Sequence, residues 1–437
     1  MSHTSIPYTT FRGSSASHHA TLRVPDNVGG APYPVVVNVH GGFWKTKWSL
    51  QNLDTSTLLG AFTGCATWDV EYARVDQVDP PASPEGGGFP HTCLDVLAAV
   101  NALADGTVPP ALRAKLDLTR VYLCGHSAGG HIVLWLAMIS RLSHDKRSEL
   151  AMVLDASAGT AAAQALRAGV SSDVLIRGAI GLAPVACLAD ALIDGLSDHH
   201  DAAINFLWRA GASAGAGEAT AAALWLACAC PRMLLSSLLT AEASGAGTAA
   251  PGTSAPHTAA PDAPVPPHPL RLLLLSGLSD EDVPATQSVT LAAAAWAAAA
   301  ASGPAPAPAS GSGAASRVSV QLALVEGADH YEVAGLCDAA TPGAPAERWA
   351  AMSAALGAFV HEADEAPLAK LRVSSEAEAR ALCATARAHT CAARSVAALH
   401  EGAAAAAAAT TADAELARGL RRWFAWNGTT PPEGLLL

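Results

Sequence analysis

Charge is scarce in this chain. Only 15% of its 437 residues are Asp, Glu, Lys or Arg, and 26 basic residues face 38 acidic ones, a formal net charge of −12. So few cations leave no electrostatic footprint for a phosphate backbone, and nucleic acid is not an expected partner. Aromatic residues make up 5%, and much of the 51% hydrophobic share is alanine, so the large-residue core must be concentrated in part of the chain. That argues for one α/β domain with an appendage rather than several equal domains. Long apolar runs are missing as well. Ala221–Leu239 is broken by Pro231 and Arg232, and Leu291–Ala301 is short and nearly all alanine, so no membrane span is expected. Met1–Ala20 lacks the basic start and apolar run of a signal peptide. Nine cysteines, an odd number scattered from Cys65 to Cys391, do not form a secreted disulfide framework. These absences predict a soluble, cytoplasmic protein with reduced thiols.

What is present is an alternation of short β-rich runs with helical patterns, the signature of an α/β fold built on a doubly wound, mostly parallel sheet. Val35–Val39, bounded by Pro34 and Gly41-Gly42, reads as a buried strand. Trp68–Tyr72, Val121–Cys124, Arg177–Leu182, Leu270–Leu275 and Val318–Val325 follow, with Ala20–Val24 as an antiparallel edge. Thr92–Leu103 and Gly130–Ser140 carry helical periodicity. Two stretches, about 242–269 and 302–316, are almost wholly Ala, Gly, Ser, Thr and Pro, and read as disordered insertions. A catalytic domain over 20–365 is expected, with a cap at about 190–239 that contains Trp208 and Trp225. A helical extension should occupy 366–437.

The sharpest chemical signal is Gly125-His126-Ser127-Ala128-Gly129, between the strand ending at Cys124 and a helical pattern. A strained strand–turn–helix with small neighbours lifts a serine hydroxyl above a sheet, and the helix N-terminus favours developing negative charge. The competing reading is a tight glycine turn that happens to hold a serine. Upstream, His40-Gly41-Gly42-Phe43-Trp44 ends a strand, and its glycines allow N–H groups to converge on one point. Gly42, Phe43 and Ala128 are assigned as oxyanion donors, and His40 as a residue that holds the loop. Phe43, Trp44 and Trp48 either wall a substrate pocket or pack beneath the loop.

An activated serine needs a base and an orienting acid. Of 16 histidines, His330 follows a late strand through a short polar loop. Asp280 lies in the loop after the preceding strand, with Asp282 its nearest rival and Asp190 and Asp194 distant ones. The order Ser127, Asp280, His330 is that of α/β-hydrolases. Glu71 and Arg74 are expected to pair and fix a loop. Cys383, His389 and Cys391 lack a fourth ligand at zinc spacing, so no metal site is assigned. Cys228 and Cys230 read as buried small hydrophobes, and Asn427-Gly428-Thr429 fits a glycosylation triplet that means little without a signal peptide.

HGGFW, VEYARV, GGGFP, GHSAGGH, SGLSDEDVP and GADH fall in the order of the esterase/lipase type of α/β-hydrolase. The chain resembles that group over roughly 20–362 outside the two insertions. The His-Gly-Gly-x-Trp form is similar to kynurenine formamidases and their feruloyl-esterase-like relatives, while Phe43 replaces the third glycine of hormone-sensitive-lipase-like esterases. The resemblance implies Ser127 as nucleophile, Asp280 as acid and His330 as base. The expected activity is cofactor-free hydrolysis of a small carboxylic ester or aryl formamide through an acyl-enzyme. The alternative is a non-catalytic receptor or scaffold of the same fold, or, among enzymes, a peptidase or thioesterase. The expected partner is a small-molecule ester or amide, and the sequence leaves the oligomeric state open.

Overall fold

The computed structural model describes residues 2–14, 18–26, 30–51, 56–75, 86–197, 201–208, 225–244, 268–301, 318–336, 344–362, 366–369 and 371–385. Its strands are β1 (Ser2–Pro7), β2 (His19–Val24), β3 (Tyr33–Val39), β4 (Ala66–Val70), β5 (Leu116–His126), β6 (Ile176–Leu182), β7 (Leu270–Gly277), β8 (Val318–Val325) and β9 (Arg372–Val373). They form one sheet in the order β1-β2-β4-β3-β5-β6-β7-β8-β9. From β4 to β8 every pairing is parallel, and β1, β2 and β9 join antiparallel at the two sides. The sheet is doubly wound and mostly parallel, as the alternation of patterns predicts.

The helices are α1 (Ser56–Gly60), α2 (His91–Asn101), α3 (Pro110–Arg113), α4 (Ala128–Ile139), α5 (His144–Ala158), α6 (Thr160–Ala168), α7 (Leu188–Asp194), α8 (Ala202–Trp208), α9 (225–229), α10 (Pro231–Ser244), α11 (Thr286–Ala301), α12 (Ala344–His361), α13 (Ala366–Ala369) and α14 (376–385). Strand β3 explains why both faces are covered. Val35, Val37 and Val39 point into a cluster with α2, α4, α10 and α11, while Val36 joins a second cluster with Phe62, Leu356 and Phe359. A continuous β-branched run therefore has apolar neighbours above and below, as a buried parallel strand requires. Among the described residues no helix is long and apolar enough to cross a membrane.

Three expectations need correction. The strand read at Trp68–Tyr72 lies two residues earlier, because Ala66 and Val70 pair with Val35 and Val39, and the Glu71 carboxylate just past its end serves the neighbouring loop. Ala20–Val24, expected as the antiparallel edge, lies one strand in, because the polar Ser2–Pro7 pairs along β2 outside it and buries Ile6 there. The sheet also continues past residue 365. Val373 pairs with Leu322, and Val373, Ala379 and Cys383 pack into the main core. The insertion 245–267, the segment 302–317 and the tail beyond 385 lie outside the described residues.

Candidate active site

Ser127 stands at the junction of β5 and α4 with φ 56° and ψ −118°, a backbone few side chains adopt. The turn is held on both sides: Ser127 N–H donates to the Leu182 carbonyl at 2.8 Å, and Val185 N–H donates to the Ser127 carbonyl at 3.2 Å. Gly129 is required here, since a Cβ would lie 2.1 Å from the Val39 carbonyl oxygen. Ala128 opens α4, so its N–H has no acceptor within the helix. Ser127 is 2% exposed, which puts its hydroxyl in a covered site.

The loop after β3 abuts this turn. A Cβ on Gly41 would sit 3.0 Å from Ser127 Cβ. Gly42, Phe43 and Trp44 then have φ of 107°, 51° and 57°. For the two non-glycine residues a left-handed backbone costs about 1–3 kcal/mol each, so the surroundings must enforce it. Lys45 N–H donates to the Gly42 carbonyl (2.9 Å), and Val75 N–H to the Trp44 carbonyl (2.7 Å). His40 lies below, stacked on Tyr72 and bonded through Nε2 to Glu71 Oε1 at 2.9 Å. Glu71 also accepts from Leu50 N–H and pairs with Arg74 at 3.2 Å. Burial alone would raise the Glu71 pKa, but His40, Arg74 and the Leu50 N–H outweigh it and hold the carboxyl below its ordinary value. The expected Glu71–Arg74 pair and the loop-holding role of His40 are thus present.

The loops after β7 and β8 are laced together: Leu278 N–H donates to Val325 O and Ser279 N–H to Ala328 O. That lacing brings Asp280 Oδ2 to 2.8 Å from His330 Nδ1. Asp280 Oδ1 accepts from the N–H groups of Asp282 and Val283, fixing the carboxylate in its loop. Asp282 joins this pair in a cluster whose ligand atoms lie within 4.8 Å of one another. The three residues have the spacing to hold a cation, but both Asp280 oxygens already serve the loop and the imidazole.

One contributor is not legible in the motif. His126, the variable position of G-x-S-x-G, presents Nε2 to the His330 carbonyl at 2.9 Å, with the two rings 4.5 Å apart. A carbonyl accepts only, so Nε2 carries the proton. Burial and the neighbouring His330 and His40 push the His126 pKa well down, and the ring stays neutral. A contact across 204 residues leaves no local trace in sequence.

The aromatic residues divide. Trp44 is 1% exposed, stacks on Phe206 at 4.3 Å and meets His131 edge-on at 5.3 Å. Of the two readings of Trp44, packing beneath the loop is the one observed. Phe43 and Trp48 are half-buried, and the Trp48 carbonyl accepts from Arg74 Nη1. In the segment expected to form a cap, Trp225 is buried with Nε1 donating to the Leu207 carbonyl at 2.6 Å; the Trp208 side chain lies outside the described residues. Cys228 and Cys230 are buried, as is Cys383, whereas His389, Cys391 and Asn427 lie outside the described residues.

A strained serine between a parallel strand and a helix, with an acid–imidazole pair on later loops, is the arrangement of one hydrolase fold. Residues 22–166 match the BD-FAE family model. The fold is of the α/β-hydrolase type. The matched segment contains the His40–Trp44 loop and the Ser127 turn; Asp280 and His330 lie beyond it. Esterase B from Lactobacillus rhamnosis is similar at 16% identity, covering 82% of this chain and 88% of that one with a TM-score of 0.48. Carboxylesterase Cest-2923 from Lactobacillus plantarum is 14% identical, with 86% and 100% covered and a TM-score of 0.49. Carboxyl esterase 2 from Tuber melanosporum is 15% identical, with 82% and 87% covered and a TM-score of 0.47. No curated protein matches the chain.

Proposed function

We propose that this hydrolase cleaves a small carboxylic ester or an aryl formamide through an acyl-enzyme on Ser127. The observation that carries the reading is the 2.8 Å pair between His330 Nδ1 and Asp280 Oδ2. It leaves His330 Nε2 as the proton acceptor, because Nδ1–H is committed to the carboxylate. In the forward step Ser127 Oγ attacks the carbonyl carbon while its proton passes to His330 Nε2. Asp280 stabilises the imidazolium and keeps the ring in this tautomer. The N–H groups of Gly42, Phe43 and Ala128 receive the oxyanion. His330 then returns the proton to the leaving alcohol or amine, and water repeats the sequence to release the acid.

Phe43 and Trp48, both half-buried in the loop whose Gly41 abuts Ser127, favour a flat leaving group. Short-chain aryl esters and N-formyl aryl amides, N-formylkynurenine first among them, are the substrates to try. Labelling by a fluorophosphonate tests the mechanism, since an unactivated serine does not react. Wild-type protein should label and Ser127→Ala should not, with turnover of an aryl acetate down by several orders of magnitude. A Ser127→Ala protein that kept more than about a tenth of its turnover would refute the assignment. A wild type inert to the probe and to every ester would instead support the binding-only reading.

A further inference from the structure

Val75 N–H holds the Trp44 carbonyl of the left-handed turn, and the His40–Glu71 pair takes the Leu50 N–H further along the loop. The other side of the turn meets the segment expected to form a cap. Lys45, the residue that follows the turn, is 6% exposed. An ammonium so covered is retained only with a partner of opposite charge. That partner comes from the cap, 156 residues later: Lys45 Nζ lies 2.8 Å from Asp201 Oδ1 and 3.4 Å from Ser197 Oγ. Asp201 is itself fixed, since Ser197 Oγ donates to Oδ1 at 3.0 Å and Asn205 Nδ2 to Oδ2 at 2.9 Å. Burial raises the Asp201 pKa, but the Lys45 ammonium and the Ser197 hydroxyl overcome this and leave it below its ordinary value. Five residues after Asp201, Phe206 stacks on Trp44, and its carbonyl accepts from Phe89 N–H at 2.7 Å. The same short piece of cap thus holds two successive residues of the loop.

We propose that Lys45 and Asp201 are positioning residues for catalysis: their ion pair, beside the Trp44–Phe206 stack, holds the oxyanion loop in its left-handed turn. This rests on the assignment of the Gly42 and Phe43 N–H groups as oxyanion donors. A non-glycine left-handed backbone returns to other basins when its restraints loosen. Without the clasp, those two N–H groups turn away from the carbonyl oxygen while the substrate pocket persists. The loss therefore falls on the transition state more than on binding.

The test uses the full chain and four variants: Lys45→Met, Lys45→Arg, Asp201→Asn and the Lys45→Met/Asp201→Asn double. The readouts are kcat and KM on an aryl acetate, and the rate at which a fluorophosphonate modifies Ser127. Lys45→Met and Asp201→Asn should each lower kcat and the labelling rate by about 10- to 100-fold, as small misplacements do, with KM held within about twofold. The double variant should be no worse than the weaker single, because both remove one pair. Lys45→Arg should recover most of kcat. A raised KM with kcat and labelling unchanged would mean that the pair only shapes the pocket, and multiplying losses in the double variant would mean that the two residues act separately; either overturns the proposal. Asp201→Asn is nearly isosteric, so it decides the matter even if Lys45→Met does not fold. Wild type that labels, with Asp201→Asn labelling at the same rate, overturns the clasp alone. Wild type that fails to label overturns the Ser127 mechanism with it.

Discussion

At the scale of single residues, two neighbouring carboxylates separate by what their atoms touch. Asp280 reaches the imidazole of His330 with Oδ2, and takes the Asp282 N–H on Oδ1. Asp282 supports this geometry through its backbone, which a side-chain change leaves in place. Asp280→Asn should therefore cost about 10⁴ in kcat, as in the protease example where the amide leaves the histidine in the wrong tautomer. Asp282→Asn should cost less than about tenfold by the same reasoning. Measured kcat values on one aryl ester rank the two, and the reverse ranking would move the role to Asp282. Sequence spacing alone named both residues and preferred Asp280, the one whose carboxylate meets His330. It did not reveal His126, because the x of G-x-S-x-G reads as a spacer and its partner is the distant His330 carbonyl. Nor did it decide Trp44, whose burial depends on a cap helix that packs from 160 residues away.

At the scale of elements, strands with neighbours on both faces were legible and edge strands were not. The runs in β3, β7 and β8 are rich in Val and Leu because each has apolar layers above and below. By contrast β1 and the two-residue β9 carry little or no apolar alternation, and only their partners β2 and β8 define them. Helix α4 shows how elements couple to charge. His131, one turn from Ser127, is buried and bonds through Nε2 to the Ala229 carbonyl. Burial pulls its pKa down to about 4 from the ordinary 6.5. As pH falls below about 6.5, the unfolded chain takes up a proton that the folded chain refuses until about pH 4. This contribution is thus fully present above about 6.5 and is lost toward 4, with roughly 2 kcal/mol gone at pH 5. His126, lowered in the same direction, adds to it. His131→Gln keeps an N–H donor and removes the titration. Urea midpoints at pH 7.5 and 5 should differ by less in that variant than in wild type, by an amount equivalent to roughly 2 kcal/mol. An unchanged difference would show that His131 titrates normally in the folded protein.

At the scale of the whole molecule, the α/β sheet extends further along the chain than its composition suggests. Composition placed the boundary at about 365, because the strand rhythm ends there. The sheet does not stop there. Arg372 and Val373 pair with Ala323 and Leu322, which covers the outer edge of β8. Val373, Ala379 and Cys383 are buried in the same apolar cluster as Val320, Leu322 and Leu324. Removing that strand and helix would expose these three side chains, a loss of roughly 2–4 kcal/mol at about 25 cal/mol per Å². It would also uncover an edge of β8 able to pair with another chain. Two truncations isolate the effect: one ending at Thr385 and one ending at Ala369. The shorter protein should melt on the order of 5–10 °C below the longer one, and its light scattering should rise during heating. The loops of the candidate site are carried by β3, β5, β7 and β8, so the proposed Ser127-dependent turnover at low temperature should survive in whatever fraction of the shorter protein remains folded. Equal melting temperatures for the two truncations would mean that residues 371–385 add nothing to the domain, and would return its boundary to 365.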